Sequence, residues 1–234
     1  MKLYTCIHVE ENKDLIYLFI KYYREVIGVK EFKIVLQAGE YNHDIAYKIE
    51  QFELFIEDLN CTVSKHWVGE LFTDGKKREI LNDLRWHTAE KQEWVLQADV
   101  DEFIEWDGIF QNQSIYKEGN YVFGKLVDRV SRSGKFLEIN RDTDLFKQFP
   151  IQAKITEPIC QANPEKIPFS KGWVRLGVGH HYPETQVNQW FNETLKQIDI
   201  GRPFIKVHHF KFIRGYLEKV RDRINHNVNV SEVG

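Results

Sequence analysis

Short apolar runs alternating with stretches of helical spacing constrain this chain more than any other feature of its sequence. Leu3–Val9, Phe32–Leu36, a run beginning at Cys61–Val63, and Trp94–Ala98 read as strands. Between the first two, Leu15, Leu18/Phe19, Tyr22 and Val26 recur at helical spacing. They predict a helix over Asp14–Ile27, with Asn12 or Asp14 as its cap and Gly28 at its C-terminal end. Ile45, Ile49, Phe52, Ile56 and Leu59 predict a second helix, and Ile80, Leu81, Leu84 and Ala89 a third that starts near Asp74. Strands that alternate with helices of this length form a largely parallel sheet covered by helices. Tyr121–Val130 reads as a further strand. All six prolines lie at or after Pro150, so the last third is expected to carry longer loops.

The chain has 234 residues, of which 42% are hydrophobic and 14% aromatic, enough for one soluble domain with a real core. That composition excludes a disordered chain. No run is long enough to span a membrane, and a net charge of -3 argues against a nucleic-acid partner. The charge is unevenly spread: residues 1–103 carry 13 basic and 20 acidic side chains, and residues 104–234 carry 19 and 15. Such a split suits a metal-bridged anionic ligand, and it also arises from surface charge alone. Cys6, Cys61 and Cys160 are odd in number and widely spaced, which points to free buried thiols rather than disulfides or a zinc site. Glu10 and Glu11 interrupt the first apolar run too early for a signal peptide, so a cytoplasmic location is expected.

In open α/β sheets, ligands bind outside the carboxyl ends of the strands. The residues to inspect are therefore 9–12, 37–40 and 99–102. In the last of these, Asp99, Asp101 and Glu102 place three carboxylates directly after an apolar strand. If that segment is extended, Asp99 and Asp101 point to one side and Glu102 to the other. Like charges this close demand neutralisation, and a hard divalent ion such as Mn2+ or Mg2+ supplies it while keeping positions open for phosphate. The alternative is a solvated strand end. Asp142 and Asp144 repeat the spacing but follow no apolar strand, and are read as surface.

Two histidine doublets, His180-His181 and His208-His209, follow apolar segments. An extended doublet puts one ring on each side, so one of each pair could face a site. A basic stretch surrounds the second doublet, and there Lys211 and Arg214 are near enough to His209 to reach a diphosphate. Residues 217–224 read as a solvated helix face. Trp67, Trp106, Trp173 and Trp190 could stack on sugars, though large aromatics are more often core.

The segment Trp94-Val-Leu-Gln-Ala-Asp99-Val-Asp101-Glu102-Phe103-Ile104 resembles the W-x-x-x-x-D-x-D-E-F motif of glycosyltransferases with a GT-A fold, nearest to the family-2-like and family-92-like bacterial enzymes. The opening is similar too, with Glu10-Glu11-Asn12 where the usual form is Lys-Asn-Glu, and with Gly28-Val29 before the next strand. Gly124–Arg129, Lys147–Pro150, Lys171-Gly172, Gly179–His181 and His208–Lys211 also look like this group. The resemblance implies a single three-layer α/β/α domain with a mixed, mainly parallel sheet. Residues 1–105 would form its nucleotide-sugar half and 106–234 its acceptor half. It implies metal-dependent transfer of a sugar from a nucleotide-diphosphate sugar, a UDP-sugar by family tendency, to a glycan or glycolipid hydroxyl with inversion. Asp101 would ligate the metal, and Asp99 would contact it or the donor ribose. His209 would complete the metal site, with His181 as runner-up. Glu11, Asn12, Lys211 and Arg214 would contact the donor. An inverting transfer also needs a general base on the face opposite the leaving diphosphate, for which Asp128 in the Tyr121–Val130 strand is the candidate, with Glu102 and Asp107 as alternatives. Peripheral attachment to a membrane stays open. Two competing readings are a D-x-D phosphohydrolase and a non-catalytic GT-A-like binding domain.

Overall fold

The computed structural model describes residues 1–39, 43–69, 72–105, 119–184, 205–217 and 221. Strand β1 (Lys2–His8) leads into helix α1 (Lys13–Tyr22), which Asn12 caps by accepting the Leu15 amide at 2.9 Å. The predicted helix is present, but its last turn, Tyr23–Ile27, widens to a π turn before Gly28 closes it at φ 80°. The widened turn sits where the Tyr22 and Tyr23 hydroxyls donate to the carbonyls of Ile104 (2.6 Å) and Glu102 (2.9 Å). Tertiary hydrogen bonds at both tyrosines outweigh regular helix geometry there. Next come β2 (Glu31–Gln37), α2 (His43–Asp58), β3 (Val63–Trp67), α3 (Asp74–Thr88) and β4 (Trp94–Gln97). The third strand starts two residues later than its apolar run. The remaining elements are β5 (Glu102–Ile104), β6 (Tyr121–Val130), α4 (Leu145–Gln148), β7 (Ile151–Ala153), β8 (Glu165–Lys171) and β9 (Ile205–His209). Residues 218–220 and 222–224, most of the predicted basic helix face, lie outside the described residues.

The nine strands form one sheet in the order β3-β2-β1-β4-β8-β6-β9-β5, with β7 on β6. β1, β2, β3, β4, β6 and β9 run one way and β5, β7 and β8 the other, so the sheet is mixed and mainly parallel, as expected. Alternate side chains enter opposite layers. Leu3, Ile34 and Leu96 pack with Phe19 of α1 and Phe52 of α2, whereas Tyr4, Val35 and Val95 pack with Ile80, Leu81 and Leu84 of α3. The result is the three-layer α/β/α arrangement that the resemblance implies. Strands from both halves of the chain join the sheet. No described helix is long and apolar enough to cross a membrane.

Two features of the sheet shape its ligand-binding end. The chain runs β1-β2-β3 toward one edge, then returns to place β4 on the other side of β1. By the general rule for α/β sheets, such a reversal marks the crevice at the carboxyl ends of β1 and β4 as the ligand-binding end. Further along, the β6–β8 ladder shifts register between Val122 and Gly124, opposite the Pro168 that has no amide to donate. Gly124 lets β9 pass closely: a Cβ there would stand 2.9 Å from the Ile205 carbonyl oxygen and from a Val207 methyl.

A carboxylate-lined candidate active site

Beyond β4 the chain turns rather than extends: the Glu102 amide donates to the Asp99 carbonyl at 2.9 Å. This corrects the expected alternation of faces. The turn brings one oxygen each of Asp99, Asp101 and Glu102 within 4.8 Å of one another, so Glu102 shares the side of its neighbours. Among the described residues it is the one group of three or more such side chains placed to hold a metal ion. An all-oxygen set of this kind fits a hard divalent cation.

Strand register brings the second half of the site. β9 lies between β5 and β6 and pairs His209 with Glu102 on one side and Asp128 on the other. The Phe210 amide donates to the Asp101 carbonyl at 2.8 Å, which anchors the turn to the end of β9. His209 Nε2 stands 3.4 Å from Asp101 Oδ2, and its Nδ1 stands 3.0 Å from Asp128 Oδ1. Burial opposes a charge on His209, but Asp101 and Asp128 outweigh it and raise the pKa to about 9. His208 points the other way. Arg129 donates to its Nδ1 at 3.1 Å, and burial beside that guanidinium lowers its pKa to about 4.

Asp128 is buried and fully engaged. Oδ2 accepts the Ile155 and Thr156 amides at 2.8 and 2.7 Å, and Oδ1 accepts the Thr156 hydroxyl at 2.7 Å beside His209. Burial opposes its charge, yet the His209 bond foremost, with those from Thr156 and Ile155, holds its pKa down at about 2. A carboxylate so occupied is placed to orient His209.

Two lysines complete the cluster, and the sequence pattern did not single them out. Lys77, in the first turn of α3, bonds Asp99. Lys166 of β8 stands 2.7 Å from Glu102, 3.9 Å from Asp99 and 2.7 Å from the Gly179 carbonyl oxygen. Burial opposes a charge on Asp99, but the two ammonium groups hold its carboxyl well below the usual range. Burial pushes Glu102 upward. The one signal for Lys77 in the sequence is its position one turn before Ile80 and Leu81 on the apolar stripe of α3. Lys166 carries none, because beside Glu165 it reads as the charged start of an apolar strand.

The other expected residues serve varied roles. Asn12 caps α1, and the Glu11 carboxylate accepts the Asn12 amide at 3.1 Å. Lys211 lies 5.6 Å from the centre of the Tyr216 ring; burial opposes a charge on Asp101, but His209 foremost, with a small contribution from Lys211, lowers its pKa. Arg214 pairs with Glu138 at the exposed surface. His181 Nδ1 contacts the Glu165 carbonyl, whereas His180 is buried with Nδ1 unpartnered among the described residues. Trp67 and Trp173 are buried in the core. Cys61 is buried, Cys6 partly so, and Cys160 is exposed rather than buried. Trp106, Asp107 and Trp190 lie outside the described residues.

Fold and site together define an α/β protein with a cation-compensated carboxylate cluster in the crevice of its sheet. No protein-family model and no curated protein matches the sequence. Among solved structures, the chain is similar to residues 1–349 of TarS from S. aureus, at 10% identity and a TM-score of 0.36 over 90% of this chain and 60% of that one. It spans 36% of a longer TarS chain. It is also similar to 4-diphosphocytidyl-2C-methyl-D-erythritol synthase, at 9% identity and a TM-score of 0.38 over 85% and 89% of the two chains. A third likeness is to core-mannan synthase A from Aspergillus fumigatus in its Mn/GDP form, at 11% identity and a TM-score of 0.29 over 82% and 62%. TarS has been solved with UDP and with UDP-GlcNAc. Likenesses this distant leave the chemistry of the site to its own geometry.

Proposed function

We propose that this protein is a GT-A-type glycosyltransferase that moves a sugar from a nucleotide-diphosphate sugar, a UDP-sugar foremost, to a glycan or glycolipid hydroxyl with inversion. The observation that carries this reading is the carboxylate cluster in the crevice between the ends of β1 and β4, faced by His209 from β9. The preference for UDP rests on the motif resemblance. Residues 1–105 supply the nucleotide side and 106–234 the acceptor side.

Asp99, Asp101 and His209 are the proposed holders of Mn2+ or Mg2+. When bound, such an ion neutralises charge on a departing diphosphate. Asp128 fixes the His209 ring from behind, as ligand histidines are commonly fixed by a carboxylate. Of the two candidate histidines, this reading uses His209 and not His181. Glu102 is the proposed base: burial raises its carboxyl toward the range where a base works, and Lys166 holds it in place. Glu11 and Lys211 are the proposed nucleotide contacts.

Release of nucleotide from a panel of UDP- and GDP-sugars, with and without Mn2+, tests this. Metal-dependent release that Asp101→Ala reduces by at least about a hundredfold supports it, a loss of the size expected when charge stabilisation is removed. Release from no donor with any metal would refute it.

A further inference from the structure

Three carboxylates with oxygens inside 4.8 Å repel one another, and partial burial strengthens the repulsion. A site that left all of this compensation to a divalent ion would carry no cations of its own. This one carries two. Lys77 Nζ bonds one oxygen of Asp99, and Lys166 Nζ lies 3.9 Å from the other while bonding Glu102 at 2.7 Å. Their side chains are only 12% and 8% exposed, so they are parts of the site rather than surface charges that happen to reach it. They come from separate elements. Thr73 caps α3 and so fixes Lys77, while Lys166 is tied down by its bond to the Gly179 carbonyl oxygen. The Asp99 oxygens that an incoming metal ion needs are the ones these ammonium groups face.

We propose that Lys77 and Lys166 are internal counter-cations: they keep the carboxylate cluster assembled without a divalent ion, and such an ion enters by displacing an ammonium group from Asp99. The proposal deepens the cation reading of the site and rests on it. It makes the lysines competitors of the metal, so their removal strengthens metal binding, whereas removal of an ordinary supporting residue weakens it.

The full chain is titrated with Mn2+, the free ion is followed by its electron paramagnetic resonance signal, and the melting temperature is recorded in parallel. Wild type is compared with Lys77→Met, Lys166→Met, the charge-keeping Lys166→Arg, and Asp101→Ala. Each methionine variant is expected to bind Mn2+ at least about tenfold more tightly than wild type, as the loss of a buried competing charge requires. Each should also melt lower in chelator and recover with Mn2+, while Lys166→Arg stays near wild type. A methionine variant that is unfolded in chelator but folds on adding Mn2+ counts the same way. If wild type binds Mn2+ in a manner that Asp101→Ala abolishes, and neither methionine variant binds more tightly or recovers with Mn2+, the counter-cation role is overturned and the cation reading survives. If no variant binds Mn2+, both fall together.

Discussion

Asp128 and His209 show how one side chain sets the chemistry of another. The carboxylate is held by three bonds from Ile155 and Thr156, and its remaining capacity goes to the imidazole. Asp128→Asn keeps the shape but removes the charge that favours a protonated ring. We expect this variant to lose about 2 kcal/mol or more of stability, measured by denaturant unfolding in chelator, because a charge-assisted buried bond is lost. The sign with pH comes from the raised value. Protonated His209 contributes stability that is fully present below its unfolded pKa near 6.5 and is lost as pH rises through about 9. Asp128→Asn should flatten that decline; an equal decline in both proteins would refute the coupling. At this scale the acids were legible in sequence, because Asp99, Asp101 and Glu102 fall within four residues. The lysines were not: Lys77 and Lys166 meet the acids only through the packing of α3 and β8, and the one local mark, the place of Lys77 on the apolar stripe of α3, says nothing of the acids.

Among the elements, the alternation of strands and helices was readable in advance because each buries one periodic set of side chains. The turn at Val100–Asp101 was not. Its residues carry no glycine or proline, and it is fixed from outside by the Phe210 amide at the end of β9. The first helix ends at Ile27 before Gly28 as predicted, but the π geometry of its last turn was not foreseen, since Tyr22 and Tyr23 reach across to β5. The placement of β9 depends in turn on Gly124. Gly124→Ala would put a methyl group 2.9 Å from the Ile205 carbonyl oxygen and from Val207, neither of which is the flexible end of a long side chain. We expect a cost of about 1–3 kcal/mol, the usual cost of overpacking, with weakened Mn2+ binding because His209 rides on the displaced strand. Full stability and unchanged binding would show that β9 is not held by this approach.

The whole molecule is organised around the reversal of strand order at β1 and β4. The acids stand at that crevice, and the strands of the second half bring His209, Asp128 and Lys166 to it from across the sheet. The charge split along the sequence has a local counterpart here: the acids of the cluster come from residues 99–102, and most of their partners come from beyond residue 125. Lys77, from the acidic half, is the exception.

The central claim is that this crevice holds a metal-bridged nucleoside diphosphate. The most direct measurement is the melting temperature of wild type and Asp101→Ala with UDP and Mn2+, each alone and together. Saturation at about 100 times the dissociation constant stabilises a native state by about 2.7 kcal/mol, which for a chain of this size raises the melting point by about 5–10 °C. The account predicts a rise of that order in wild type that requires both ligands and is absent in Asp101→Ala. A rise that persists in Asp101→Ala, or none with UDP or GDP and any divalent metal, would contradict it.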